Sequence, residues 1–268
     1  MIKLDNVSKK FATGVYGLSS VNLDIDKGEF VFLIGPTGSG KTTIFRLLTR
    51  EMLPTEGNIM VNEMDVVNLP NSKIPHLRKN IGVIFQDLKL LFDRTISENI
   101  MLPLEVAGVK TEEAKNKVQE VLEQVGLKDH QDKFPIQLSG GELQRAAIAR
   151  ALVLSPDILL ADEPTGNLDP ATSWEIVNLL MEINKKGTTI VMATHNADIV
   201  KSLSRRVVEL EKGKVAKDTK RKDKKEKEEV KEKEEVKEKD LKEEKEPKEE
   251  KEHKEEKKDK DEKGEEKE

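Results

Sequence analysis

Short apolar runs alternate with longer stretches of helical period along residues 1–216. Four of these runs, at 30–34, 81–85, 158–161 and 189–193, are almost wholly apolar. Unbroken apolar runs of this length are typical of parallel strands that helices cover on both faces. The pattern therefore predicts an α/β fold built on a parallel sheet.

Helical periodicity is clearest between Thr111 and Val125, where lysine and glutamate separate the apolar positions. Those positions are Ala114, Val118, Val121, Leu122 and Val125. The spacing predicts an amphipathic surface helix, and Gly126 is well placed to end it.

Charge divides the chain into two parts near Ala216. The 268 residues carry 47 Lys and Arg against 52 Asp and Glu, and residues 217–268 hold 21 of those basic and 24 of those acidic groups. A segment of that composition cannot bury a core, so we expect a disordered, low-complexity Lys/Glu-rich tail at 217–268. The alternative is a segment that docks on a partner or a membrane surface. Residues 1–216 have an ordinary composition and predict a globular domain.

Composition also excludes several classes of protein. The longest apolar runs have about five residues, whereas a membrane-spanning helix needs about 20. The segment from Met1 to Asn6 lacks the apolar run of a secretory signal, and the chain has no cysteine for disulfides. We therefore expect a cytosolic domain, and its near-neutral charge argues against nucleic acid as a ligand.

A glycine-rich loop follows the apolar run 30–34 and precedes a helical stretch. Its residues are Gly35, Pro36, Thr37, Gly38, Ser39, Gly40, Lys41, Thr42 and Thr43. Glycines at a helix start allow main-chain N–H groups to wrap a β-phosphate. Lys41 is then predicted to lie between the β- and γ-phosphates of ATP, and the Thr42 hydroxyl to ligate Mg²⁺.

Two adjacent acids, Asp162 and Glu163, follow the apolar run 158–161. Open α/β sheets bind ligands at the carboxyl ends of their strands, and neighbouring strand side chains point in different directions. We expect Asp162 to hold Mg²⁺ and Glu163 to accept a proton from the attacking water. An acidic strand end is often only a turn, but the phosphate loop earlier in the chain favours the catalytic interpretation.

A second candidate anion site precedes the helical run from Ala146 to Leu154. It consists of Ser139, Gly140, Gly141 and Glu142. Here the Ser139 hydroxyl and the glycine N–H groups would lie at a helix start, where anions are favoured. Together with the phosphate loop and the acid pair, this motif resembles the signature of ATP-binding cassette (ABC) ATPases.

The ABC resemblance covers essentially all of residues 1–216. It implies a P-loop NTPase fold, with a RecA-like parallel sheet core, an antiparallel β part and a helical subdomain inserted at about 86–154. It also implies a homodimer, in which each chain presents its signature to the γ-phosphate held by the other.

Further residues match the motifs of ABC ATPases one by one. Gln86 matches the Q-loop glutamine, Asn167, Leu168 and Asp169 match the D-loop at the dimer seam, and His195 matches the switch histidine that contacts the γ-phosphate. The resemblance thus implies Lys41, Gln86, Glu163 and His195 as catalytic residues, and Thr42, Gln86 and Asp162 as Mg²⁺ ligands.

The aromatic residue that stacks on adenine in this family has two candidates here. Phe11 lies 24 residues before Gly35, which matches the spacing of the family. Tyr16 competes with it. Both alternatives stay open at this point.

Two positions depart from the common ABC pattern. Glu142 stands where many members have glutamine, and Asn196 stands after the switch histidine where aspartate is common. Neither change removes a catalytic group, so we expect an active ATPase.

Within the ABC proteins, the segment from Ile81 to Thr95 resembles the FtsE family of cell-division ATPases, and the start of the chain is similar too. ATPases of lipoprotein release and macrolide export usually read Leu-Leu-Pro where this chain has Leu91, Phe92, Asp93. The discrimination depends largely on Asp93, Arg94 and Thr95. The alternative interpretation is that these residues only cap a helix that starts near Thr95.

The FtsE resemblance implies a membrane partner, the integral membrane protein FtsX, docked on the surface from Gln86 to Thr95. ATP-driven closure of the dimer would signal through FtsX to control peptidoglycan hydrolases in cell division. The chain would be a peripheral protein on the cytoplasmic face of the membrane at the division site, alongside other division proteins. Two alternatives stay open: an export ATPase, and a division-site scaffold with little turnover.

Overall fold

The computed structural model describes residues 1–220. Residues Met1–Asp218 form one compact unit. The boundary expected at Ala216 falls two residues too early, because Lys217 and Asp218 belong to a strand of this unit, Lys214–Asp218. From residue 221 onwards, the expected tail lies outside the described residues. Within residues 1–220, no helix combines the length and the apolar character needed to cross a membrane.

Ten strands of the described region form two sheets. The strands are β1 (Ile2–Lys10), β2 (Tyr16–Ile25), β3 (Phe30–Ile34), β4 (Glu56–Val61), β5 (Met64–Asp65), β6 (Ile81–Ile84), β7 (Ile158–Asp162), β8 (Thr189–Ala193), β9 (Arg206–Glu211) and β10 (Lys214–Asp218). The four apolar runs of the sequence are thus β3, β6, β7 and β8, as predicted.

Seven α-helices connect and cover these strands within the same region. They are α1 (Lys41–Leu48), α2 (Ile74–Lys79), α3 (Ile96–Val106), α4 (Thr111–Gln124), α5 (Gly140–Leu152), α6 (Pro170–Lys185) and α7 (Ala197–Ser202). The amphipathic helix predicted from Thr111 is α4, and it buries the predicted apolar face.

The larger sheet has the order β10-β9-β3-β8-β7-β6. Its strands β9, β3, β8, β7 and β6 are parallel, and β10 returns antiparallel beside β9. The smaller sheet, β2-β1-β4-β5, is antiparallel throughout. Because β3, β8 and β7 are neighbours, the loops that follow them meet at one edge of the sheet, where ligands bind in open α/β folds. The predicted α/β class with an antiparallel part is confirmed.

Alternating side chains of the parallel strands serve two separate hydrophobic cores. On β3, Phe30 and Phe32 face a core that the larger helices α3 to α6 complete. Val31 and Leu33 face the other way, into a core shared with α1 and the antiparallel sheet. The strand β3 is therefore apolar at every position, because successive side chains point to opposite faces and both faces are covered.

The helices α3, α4 and α5 occupy the region of the expected helical subdomain. Thr95 caps α3, since its hydroxyl accepts from the Glu98 N–H (3.2 Å) and its own N–H donates to Glu98 Oε2 (2.7 Å). Thr95 therefore caps the helix that was expected to start near it, and this cap by itself does not distinguish one ABC family from another. Behind this cap the fully buried Asn99 exchanges hydrogen bonds with both the N–H (2.7 Å) and the carbonyl (2.9 Å) of Leu91, which fixes the segment before α3.

Candidate nucleotide site

The phosphate loop runs from the end of β3 to the start of α1 and depends on glycine at two close approaches. A Cβ on Gly35 would lie 2.2 Å from the Leu210 carbonyl oxygen, and one on Gly40 would lie 2.7 Å from the Gly17 carbonyl oxygen. Both glycines also have positive φ, 145° and 112°, which side chains rarely adopt. The loop therefore needs glycine for space as well as for backbone conformation.

Lys41 is the first residue of α1, and it is buried with 8% of its surface exposed. Its ammonium group donates to the carbonyl oxygens of Gly35 (2.8 Å) and Pro36 (3.2 Å). The side chain thus folds back over the loop, while the first turn of α1 carries no acidic residue. A buried cation beside a free helix N-terminus makes a strong site for a phosphate.

Asp162 lies at the carboxyl end of β7, opposite the first turn of α1. Its Oδ2 accepts a hydrogen bond from the Thr42 hydroxyl (2.9 Å). Burial raises the pKa of Asp162, and the hydrogen bond from Thr42 opposes that shift only in part. The structure therefore brings together two residues that the sequence predicted as Mg²⁺ ligands.

Glu163 has a different partner from Asp162, and the chain turns sharply after β7 to place it there. Its φ is 49°, its N–H donates to the Ala193 carbonyl (3.0 Å), and its own carbonyl accepts from the Gly166 N–H (3.1 Å). The Glu163 side chain is 11% exposed and lies 2.9 Å from Nδ1 of His195, which is 73% exposed. A left-handed, non-glycine residue at this point marks a constrained site.

The pairing of Glu163 and His195 follows from strand order. Because β7 and β8 are adjacent and parallel, the residues that follow them meet at the same edge. The sequence predicted both residues but gave no sign that they touch. Asn196, next to the histidine, caps α7 by accepting from the N–H groups of Asp198 (3.1 Å) and Ile199 (3.2 Å).

Phe11 and Tyr16 differ in their exposure and in the groups beside them. A Cβ on Gly17 would meet the Phe11 ring at 2.6 Å and the Thr43 hydroxyl at 3.3 Å, so Phe11 lies beside the first turn of α1. Tyr16 is more exposed, 53% against 38%, and lies under the Lys10 ammonium group at 5.4 Å. Phe11 is thus the less exposed of the two rings.

Gln86 is exposed, two residues beyond the end of β6.

The loop that follows Gln86 is held by Arg150 of α5. Its residues Leu88 and Lys89 both have positive φ (57° and 52°), and Arg150 donates to their carbonyl oxygens. Burial lowers the pKa of Arg150. Arg150 was not among the residues predicted from the sequence, although an arginine within the otherwise small and apolar stretch from Ala146 to Leu152 is a usable signal of a partly buried donor.

The signature residues lie at the N-terminus of α5. Ser139 is the cap residue, and a Cβ on Gly141 would meet the Thr172 side chain at 2.6 Å. Leu168 packs nearby, and Asp169 caps α6 by accepting from the Thr172 N–H (3.0 Å). The signature residues thus lie against Leu168 and Thr172, which follow Asn167 in the chain. The phosphate loop instead contacts Asp162, through Thr42.

The donor set at the phosphate loop fits a magnesium ion held jointly with a nucleotide. Residues 1–220 contain no cluster of three or more His, Cys, Asp or Glu able to hold a metal alone. The hydroxyl of Thr42 and the carboxylate of Asp162 are hard oxygen donors already 2.9 Å apart. Mg²⁺ is commonly bound by one or two protein oxygens together with substrate phosphates and water, so these residues suit it.

Comparison with known proteins identifies the class that this fold and site define. The family model described as ABC transporter matches residues 18–166. Among solved structures, the dimeric post-hydrolysis state of the ATP-binding cassette MJ0796, bound to ADP and Pi, superposes with a TM-score of 0.74 at 36% identity, over 81% of this chain and 97% of that one.

Curated relatives narrow the assignment. The chain is 47% identical to the cell division ATP-binding protein FtsE of Bacillus subtilis, over 82% of this chain and 97% of that protein. It is 50% identical to FtsE of Mycobacterium tuberculosis, over 82% and 96% respectively. The chain therefore belongs to the FtsE family of ABC ATPases, and its enzymatic class is that of an ATPase.

Proposed function

We propose that this chain is the ATP-hydrolysing subunit of an FtsEX-type complex that couples ATP to the control of peptidoglycan hydrolysis in cell division. The observation that supports it best is the convergence of Lys41, Asp162, Glu163 and His195 on one edge of the parallel sheet. The FtsE relatives, named cell division ATP-binding proteins, supply the biological setting.

Each residue has a role in this proposal that follows from its position. Lys41 and the N-terminus of α1 bind the phosphates, and Phe11 stacks on the adenine. Glu163 is the base that accepts a proton from the attacking water, and His195 orients it and approaches the γ-phosphate. Magnesium would be held by Thr42 and Asp162, with Gln86 proposed as a further ligand, and it would neutralise phosphate charge.

The hydrolysis-competent form in this proposal is a homodimer. The solved cassette structure to which the chain is similar is described as dimeric. In this chain the two site halves are separate, since Ser139 and Gly140 are exposed at the start of α5 while the phosphate loop assembles with Asp162. A two-fold related copy would join each signature to the other chain's phosphate loop.

The membrane partner in this proposal is FtsX, contacted through the surface from Gln86 to Thr95. Leu91 and Phe92 are 38% and 60% exposed there, and Asn99 holds the backbone beneath them. ATP binding favours the closed dimer, and hydrolysis removes that preference. The membrane partner would therefore alternate between two states, one for the closed dimer and one for the open dimer. The chain would then sit peripherally on the cytoplasmic face of the membrane at the division site.

The proposal can be tested by purification from native cells in ATP, comparing the wild-type chain with Glu163→Gln. We expect an FtsX-like membrane protein to be recovered, with septation defects in cells that carry the variant. Recovery of a lipoprotein-release or drug-export permease instead would replace the division role with export. If cells that carry Glu163→Gln divide normally, ATP turnover is not required, and the result would favour the alternative of a division-site scaffold.

A further inference from the structure

The Ser139 hydroxyl is engaged within its own chain. Ser139 Oγ donates to Glu142 Oε2 at 2.7 Å, and the Ser139 N–H donates to the same oxygen at 2.7 Å. In return, the Glu142 N–H donates to Ser139 Oγ at 3.4 Å, which completes a capping box at the start of α5. A hydroxyl has a single proton to donate, so Ser139 cannot serve Glu142 and a phosphate oxygen at once.

The Glu142 carboxylate is held in this position as an anion. The hydrogen bonds from the Ser139 hydroxyl and N–H lower the pKa of Glu142, and the nearby His130 and Lys133 act in the same direction. His130 Nε2 lies 3.5 Å from the other carboxylate oxygen, Oε1. The helix N-terminus also favours a negative charge here. The carboxylate therefore occupies donors that would otherwise be available to an incoming phosphate.

We propose that Glu142 is a positioning residue that keeps the signature in a closed capping box, which must open before Ser139 can donate to the γ-phosphate held by a second copy. The inference rests on the proposed function, because the ATP dimer supplies that phosphate. Glutamate thus opposes closure of the dimer in two ways, by competing for the hydroxyl and by repelling the phosphate charge.

Glutamine at this position would act differently. Both bonds from Ser139 end on the same carboxylate oxygen, Oε2, so a glutamine oxygen in its place can still accept from the Ser139 N–H and hydroxyl. Because an amide oxygen is uncharged, it holds the hydroxyl proton less strongly than the carboxylate does, and one negative charge would be gone. Glu142→Gln should therefore make ATP-dependent dimerisation tighter while the helix stays capped.

The chain offers a matched control in the capping box of α3. There the Thr95 N–H donates to Glu98 Oε2 at 2.7 Å, and the Glu98 N–H donates to Thr95 Oγ1 at 3.2 Å. Hydrogen bonds from Thr95 lower the pKa of Glu98 in the same way. Glu98→Gln makes the same chemical change at the cap of a helix that does not carry the signature.

The test uses the full chain with Glu163→Gln as the parent, so that ATP persists, and measures the monomer–dimer dissociation constant by sedimentation in Mg²⁺ and ATP. We expect Glu142→Gln to lower this constant by roughly tenfold or more, because like charges in an interface are costly. Glu98→Gln should change it less than about twofold. ATP affinity of the monomer should be unchanged, since the signature is not part of the monomer's own phosphate site.

A second comparison isolates the hydroxyl. In a Ser139→Ala parent no hydroxyl remains for Glu142 to hold, so the gain from Glu142→Gln should shrink at least threefold. An unchanged or weaker dimer with Glu142→Gln would overturn the proposal, and so would a gain of the same size in the Ser139→Ala parent. If the Glu163→Gln parent itself forms no ATP-dependent dimer, the proposed function fails, and this inference with it.

Discussion

At the scale of single residues, the site separates the tasks of two adjacent acids by placing them in different surroundings. Asp162 is partly buried, and it accepts a hydrogen bond from Thr42 and has a raised pKa. Glu163 turns the other way, to the His195 ring, at a left-handed position held by the Ala193 carbonyl. The two neighbouring acids therefore have different partners. The surroundings of Asp162 suit a metal ion, and those of Glu163 suit a water molecule.

Replacing the proposed base tests this division of tasks. Glu163→Gln should lower the rate of phosphate release by about 10²- to 10⁴-fold, the usual range for loss of a general base, while ATP still binds. Phosphate release and nucleotide affinity should be measured separately. Glu182→Gln, on the exposed side of α6, serves as the control. Near-normal hydrolysis by Glu163→Gln would remove Glu163 from its proposed role.

Asp162 should make the nucleotide-free protein sensitive to pH. Because folding raises its pKa above 3.8, the folded state holds this proton more tightly than the unfolded state. The contribution of Asp162 to stability is therefore present at low pH and is lost as pH rises through the folded-state pKa.

Asp162→Asn should raise the melting temperature at pH 7 without nucleotide and reduce the pH dependence of stability. It should also lower the rate of hydrolysis at least about tenfold. A lower melting temperature at pH 7 would contradict this account.

At the scale of elements, loops near the site are held by side chains from helices behind them. Asn99 of α3 fixes Leu91, and Arg150 of α5 binds the carbonyl oxygens of Leu88 and Lys89. The surface proposed for the membrane partner is therefore built on the helix that carries the signature and on its neighbour. Ser139 caps the same helix, α5, from which Arg150 contacts this surface.

Removing the Asn99 side chain should show how much this support contributes. Asn99→Ala should lower the free energy of unfolding by about 2–4 kcal/mol, because it leaves a cavity at a fully buried position and removes the partners of partly buried backbone groups of Leu91 and Thr95. Urea denaturation measures this loss. Asn116→Ala, at an exposed position of α4, should change stability by less than about 0.5 kcal/mol. Equal effects of the two substitutions would show that Asn99 does not support the segment.

At the scale of the whole molecule, the compact unit closes with a buried ion-pair network. Arg206 of β9 donates to both carboxylate oxygens of Asp218 (2.9 and 2.8 Å) and to Glu29 (3.0 Å). The side chains of Arg206 and Asp218 are only 7% and 3% exposed. The charge boundary near Ala216 therefore falls inside β10, two residues before the end of the compact unit.

Truncation should be sensitive to these two residues. A chain that ends at 216 should lose about 2–4 kcal/mol of stability, because Arg206 remains buried without Asp218. A chain that ends at 220 keeps the network and should unfold at the same urea concentration as the full chain. Hydrolysis by the 1–220 chain should match that of the full chain. Equal stability of the two truncated chains would show that the ion pair with Asp218 contributes little.

The sequence by itself determined the fold class, the positions of the central strands and the identity of most candidate residues. It could do so because apolar periodicity, glycine spacing and helix caps act over short distances along the chain. Thr95 illustrates this, since its cap depends only on a residue three positions later. The same local rules allowed Phe11 and Tyr16 to be proposed but not to be distinguished.

Only the tertiary structure decided which of these residues meet. Strand order placed Glu163 against His195 and Thr42 against Asp162, pairs that are 32 and 120 residues apart. It also showed Arg150 and Arg206 in contact with distant backbone and carboxylate groups. Such contacts depend on the order of the strands in the sheet and on how the helices pack over it. A pattern along the chain does not give the distance in space between residues that are far apart in sequence.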